Sequence, residues 1–303
     1  MGISLILLKQ VMIMFVLLLL GYVLYKKNMI SDQGSKDIGK ILLYVVIPVV
    51  IVNNFCIERT AENVQVLFHS TIIASVCMLI AILVSYLLFK KDGVSNFSSA
   101  FSNAGFIGIP LVSATVGSHA VFYISVMIVL INVLQWTYGV FTMTNDSSVM
   151  NPKKIITNPI VIAVLIGLLI FFLQIPVPTF ATDIFSIVSG LNTPLAMMVS
   201  GVYLAQSDLL AMIKNKKIYF VSIVRLVIIP VITLFVFKLL PFGSVELKLA
   251  ILIAAACPVG SNVAIFAQMY QKDYTLAVEQ VCFTTILCLV TLPCVISIAS
   301  LIL

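Results

Sequence analysis

Two short strings in an otherwise apolar chain carry residues suited to binding a small polar ligand: Ser102-Asn103-Ala104-Gly105-Phe106-Ile107-Gly108-Ile109-Pro110 and Cys257-Pro258-Val259-Gly260-Ser261-Asn262. Asn103, Ser261 and Asn262 offer neutral hydrogen-bonding groups. Gly105, Gly108 and Gly260 remove side chains where two backbones or a ligand must approach, while Pro110 and Pro258 withdraw a donor and forbid the helix to continue. Non-helical backbone in hydrocarbon survives only inside protein or beside a wet cavity, because each unpaired N–H or C=O costs several kcal/mol. A single break of this kind is equally well explained as a kink repaired by a polar neighbour. Two breaks in matching halves mark the substrate site of a secondary transporter.

The elements holding these strings must be membrane helices. The 303 residues are 62% hydrophobic and only 9% charged, with a mean hydropathy of +1.21, which defines an all-α polytopic membrane protein. The net charge of +6 comes from lysines in short clusters between apolar runs, the pattern of cytoplasmic loops, so nucleic acid is not an expected partner. The first apolar stretch runs on through Tyr25 and reads as a span rather than a cleaved leader. Six cysteines without a C-x-x-C pair read as packing residues, and no metal or other cofactor is expected.

A spanning length of roughly 20 residues predicts ten helices, over 3–25, 38–57, 66–89, 95–117, 119–143, 155–173, 181–205, 216–240, 246–269 and 274–301. Alternate loops on one side hold twelve lysines, among them Lys26, Lys27, Lys90, Lys91, Lys216 and Lys217; the opposite loops hold Arg59, Lys238 and Lys248. The lysine-rich side is therefore predicted to be cytoplasmic and both termini external. The polar connector 144–154 divides the chain into a first five-helix repeat, 1–143, and a second, 155–303. Pro48 and Pro194 lie 146 residues apart, and Pro110 and Pro258 lie 148 apart, as an internal duplication would place them. With five helices per half, the second copy is inverted and the broken fourth and ninth helices run antiparallel. Each break leaves a half-helix N-terminus near mid-depth with roughly +0.5 of a charge and free N–H groups, so two such ends face to face favour an anion such as a carboxylate.

Other polar residues at depth carry two readings each. Glu279 is a protonatable coupling group or a carboxylate reaching the interface beside Lys272. Arg225 pairs with Glu279, attracts an anion or snorkels outward, substrate contact being the least favoured of the three. Asn132 and Gln135 share a helix face and either line the cavity or bond between helices.

These motifs resemble the auxin efflux carrier family, whose plant members export auxin and whose bacterial members include malate-permease-like carriers. The likeness rests on Asn103 to Leu111, on Cys257 to Ala264 with Phe266-Ala267 and Tyr270, on Asn158-Pro159 through Pro178, on Thr193-Pro194-Leu195-Ala196, on Gly201 to Leu204, and on Thr291-Leu292-Pro293. It covers nearly the whole chain. The resemblance implies an elevator-like or rocking carrier in which helices near the crossover move against a scaffold of the first, second, sixth and seventh helices. It implies that Asn103 helps hold the substrate carboxylate, with Asn262 as its counterpart, and that a homodimer forms through the scaffold. Many plant members carry a long cytoplasmic loop where this chain has only 144–154, which counts against auxin as substrate. The fold is also similar to bile-acid sodium symporters. Few carboxylates stand where two sodium sites would need them, so proton coupling is favoured over sodium.

The resulting expectation is an inner-membrane carrier of a small organic anion, such as malate or another carboxylate. Its binding residues would be Asn103, Gly105, Gly108, Pro110, Asn132, Gln135, Pro258, Gly260, Ser261 and Asn262, with Glu279 and Arg225 as coupling or ion candidates. The alternatives are a non-transporting sensor or scaffold and a sodium-coupled symporter of amphipathic acids. An intramembrane enzyme is disfavoured because no nucleophile and base, or metal cluster, is patterned on facing helices.

Overall fold

The computed structural model describes residues 3–146, 153, 156–207 and 209–303. Most of the connector expected at the repeat boundary, 147–152 and 154, lies outside the described residues. Of the described residues, 83% are helical. In order the helices are α1 (Ile3–Lys26), α2 (Asp32–Phe55), α3 (Ala61–Leu88), α4 (Gly93–Ala100), α5 (Ala104–Thr115), α6 (Ala120–Thr144), α7 (Pro159–Leu173), α8 (Thr179–Gln206), α9 (Leu209–Lys214), α10 (Lys216–Leu239), α11 (Val245–Ala256), α12 (Asn262–Met269) and α13 (Tyr274–Ile302). Among the described residues, six of them, α2, α3, α6, α8, α10 and α13, are long and apolar enough to cross a membrane, and Met12–Lys26, α5 and α7 count as shorter apolar helices.

Polar residues at loop ends start these helices. Ser31, Thr60, Asp92, Asn158, Ser244 and Asp273 each accept a hydrogen bond from an N–H of the following first turn, supplying an orphan donor with a partner. Three helices loosen into a π turn just before a proline: Leu42–Val46 before Pro48, Ala104–Gly108 before Pro110, and Val224–Ile228 before Pro230. Proline has no N–H to donate and its ring crowds the carbonyl four residues back, so a widened turn relieves both faults without ending the helix.

Packing is closest where side chains vanish. α1 lies along the second half of α8, and a Cβ at Gly21 or Gly201 would collide with the backbone of Met198 or Leu18 respectively. Small residues permit this approach, which is how helices associate in lipid. Reciprocally, α7 packs on the second half of α2, where Gly167 meets the Phe55 ring. At the centre, α4 is buried from Val94 to Ala100 and α11 from Leu247 to Ala256. Both are surrounded by α3, α6, α10 and α13.

Candidate functional site

The two broken strings meet. α4 ends at Ala100 and α11 at Ala256, and the extended residues that follow form an antiparallel bridge between Ser102 and Val259. Asn103 N–H donates to Pro258 O at 2.8 Å and Gly260 N–H donates to Phe101 O at 3.0 Å. The backbone groups freed by each interruption are thus satisfied by the other interruption, as burial at this depth demands. Gly260 makes the approach possible, since a Cβ there would stand 3.2 Å from Ser102 O. Val259 N–H is taken by the Thr284 hydroxyl of α13 at 3.1 Å.

Side chains then cross-link the junction. Asn103 Nδ2 donates to Ser261 Oγ at 3.2 Å, while its Oδ1 caps α5 by accepting from Phe106 N–H at 3.3 Å. Asn262 Nδ2 donates to Gln135 Oε1 on α6 at 2.9 Å. Asn132 turns back to Ile128 O on its own helix at 2.8 Å, so of the two α6 amides it is Gln135 that bonds between helices.

A cavity of about 1090 Å³ leads to this junction. Lys36, Lys40, Asp32 and Glu279 are among the charged residues along it, and Asn132, Ser261 and Asn262 stand on its wall. Those last three also line an adjoining recess of about 30 Å³ with Asn103, Gly105, Gln135 and Gly260. The Ser102 hydroxyl lines the recess too, is 3% exposed and has no hydrogen-bond partner. Seven of the ten expected binding residues therefore surround one space. Gly108 faces Ala254 of α11 and Cys257 just beyond its end, Pro110 is buried within α5, and Pro258 contributes its carbonyl to Asn103; none of the three lines either space.

Glu279 is 7% exposed, and its Oε2 accepts from Asn215 Nδ2 at 3.3 Å. Arg225 neither pairs with Glu279 nor snorkels. It is 1% exposed, and its guanidinium donates only to backbone carbonyls: Ser99 at 3.0 Å, Ala100 at 3.3 Å, Cys257 at 3.3 Å, and Ala255. Those carbonyls are the C-terminal ends of α4 and α11, the natural place for a cation. Asn192, not singled out from the sequence, sits where α8 breaks at Leu191. It donates to Gly105 O at 3.3 Å, and its own Oδ1 is buried without a partner.

Paired interrupted helices, joined by backbone hydrogen bonds beside a cavity whose largely apolar wall carries a few charged and amide groups, within a bundle of membrane-length helices, fit a membrane transporter. The chain belongs to the membrane transport protein family, which it matches over residues 6–296, in keeping with the resemblance to auxin efflux carriers. It is similar to an uncharacterized transporter of Methanothermobacter thermautotrophicus, 24% identical over 299 residues and covering 94% of this chain and 96% of the relative. It is also similar to the uncharacterized transporter MJ1031 of Methanocaldococcus jannaschii, 22% identical over 291 residues and covering 91% and 93% of the two chains. The protein is a membrane transporter and not an enzyme.

Proposed function

We propose that this transporter moves a small organic anion, such as malate or another carboxylate, by alternating access around the junction of α4–α5 with α11–α12. The observation that carries this reading is the recess beneath the large cavity, where amide and hydroxyl groups from both broken helices and from α6 converge. A carboxylate in that recess accepts from Asn103, Gln135, Ser261 and Asn262 amide or hydroxyl donors after their mutual bonds rearrange. The cavity wall includes Lys36, Lys40 and Glu279; on this reading, which takes the lysine-rich side as cytoplasmic, the cavity is the cytoplasmic access route.

The same reading takes the chain as ten spans in two inverted five-helix repeats, 1–143 and 155–303, with α4–α5 and α11–α12 as the crossing fourth and ninth. Reciprocal packing supports it: the first span of each repeat lies on the second span of the other, α1 on α8 and α7 on α2. These four form the scaffold and the surface for a homodimer, in a bacterial-type inner membrane with both termini outside. Glu279, at the cavity wall, is the group for proton coupling.

Thermal stability of the purified protein against mono-, di- and aromatic carboxylates, amines and neutral analogues tests this, because a ligand of the folded state raises stability by mass action. A carboxylate shift that Asn103→Ala and Asn262→Ala both remove is expected. A shift with cations or neutral compounds alone would overturn it. Flux of the same solute in liposomes separates a carrier from a sensor that binds without transport.

A further inference from the structure

The junction brings four half-helix ends together, not two. The N-terminal ends of α5 and α12 carry about one positive charge between them, and the C-terminal ends of α4 and α11 about one negative charge, so the four nearly cancel. Helix dipoles alone therefore give the recess no sign. Arg225 changes this balance, because its guanidinium is bonded to the carbonyls of Ser99, Ala100, Ala255 and Cys257 at the two negative ends. Among the described residues it meets no carboxylate; the titratable side chains near it are the Cys77, Cys257 and Cys288 thiols, which carry no charge while protonated. Nor is it among the residues lining either cavity.

We infer that Arg225 sets the sign of the substrate site from behind: it neutralises the carbonyl ends of both interrupted helices, leaving the amide ends uncompensated on the ligand side. Arg225 is thus a positioning and charge-setting residue that never touches the solute. The Ser102 hydroxyl, buried without a partner on the recess wall, is an independent sign that this space takes a polar guest. The inference rests on the anion-site reading above and names what makes that site selective.

The potential is measurable without knowing the solute. Asn262→Cys places a thiol on the wall shared by both spaces, and its reaction rates with an anionic sulfonatoethyl and a cationic trimethylammonioethyl methanethiosulfonate report the local field. Reactivity of the same chain without the added cysteine supplies the background from half-buried Cys56 and exposed Cys294. A unit charge acting over about 10 Å at an effective dielectric of about 20 changes the local concentration of a monovalent ion by roughly tenfold. The anionic-to-cationic rate ratio at the introduced thiol is expected to exceed that of an exposed reference thiol, to fall tenfold or more with Arg225→Gln, and to persist with Arg225→Lys. Cys288→Asp, which leaves Arg225 in place but pairs it, is expected to lower the ratio as the Gln variant does, and serves if the latter does not fold. An anionic preference that survives both Arg225→Gln and Cys288→Asp would overturn the role of Arg225. A neutral or cationic preference with Arg225 intact would instead overturn the anion site itself.

Discussion

Replacing Arg225 with Met tests how the crossover is held together. Met keeps an unbranched apolar stem but ends before the guanidinium position, and it leaves the carbonyls of Ser99, Ala100, Ala255 and Cys257 without their donor inside the bundle. A hydrogen bond to a charged group is worth about 1.5–3 kcal/mol net, and an orphaned buried acceptor costs about 1–3 kcal/mol. The four do not add, since they share one donor group and the strand ends can relax, and a loss of about 4 kcal/mol is expected, as for breaking a buried ionic partnership. At roughly 2–4 °C per kcal/mol for a chain of this size, melting falls by about 10 °C. Lys, with three donors on one nitrogen, restores about half of this. The assay is built into the chain: Cys77, Cys257, Cys282 and Cys288 are buried, so a fluorogenic maleimide reports unfolding directly. A Met variant melting within about 2 °C of the parent would refute the claim that Arg225 clamps the two carbonyl ends.

Gly201→Val drives a side chain into the Leu18 backbone across the α1–α8 contact and is expected to cost about 3 kcal/mol or to prevent folding, measured by the same melt. Asn192→Ala removes the bond to Gly105 O and is expected to cost about 1 kcal/mol of stability; the melt checks this, and an unchanged melting temperature would show that the contact holds nothing. At the lysine-rich face, burial pushes the Asp92 carboxyl up, but the Ser95 N–H and the Lys217 ammonium at 3.1 Å outweigh this and hold it below the usual carboxylate range. A group depressed in the folded state stabilises above its unfolded value and loses that contribution as pH falls through the folded one. Asp92→Asn, which keeps the helix cap, should therefore cost about 0.5 kcal/mol at neutral pH and nothing at about pH 2, as a pH series of melts would show.

The breaks were legible because polar, glycine and proline residues stand out in an apolar run, and the offset between Pro110 and Pro258 announced that they belong together. Which of their residues face the ligand was less legible: Gly108 is there for α11, and Pro110 and Pro258 shape the turn without lining the space. The partners of Arg225 leave no trace in the sequence, because every residue has a carbonyl and only the fold decides which carbonyls are unclaimed. A lone cation in an apolar run suggests a carboxylate or the interface, yet two helix C-termini satisfied it. Asn192 carried a readable signal, a polar residue two positions before Pro194, the same pairing of an amide with a nearby proline that marks the main breaks. The long cavity drew on Asp32, Tyr203 and Gln206, residues at helix ends whose convergence depends on how α2 and α8 are packed rather than on any local pattern.

The central claim is that solute passes through the junction of the two broken helices. Uptake of labelled malate and other carboxylates into liposomes carrying the parent protein, Asn103→Ala or Asn262→Ala tests it most directly, with melting temperatures confirming that all three are folded. Saturable uptake by the parent, reduced at least tenfold in both folded variants, is the predicted result. Uptake that proceeds at the parental rate without these two side chains would contradict the account.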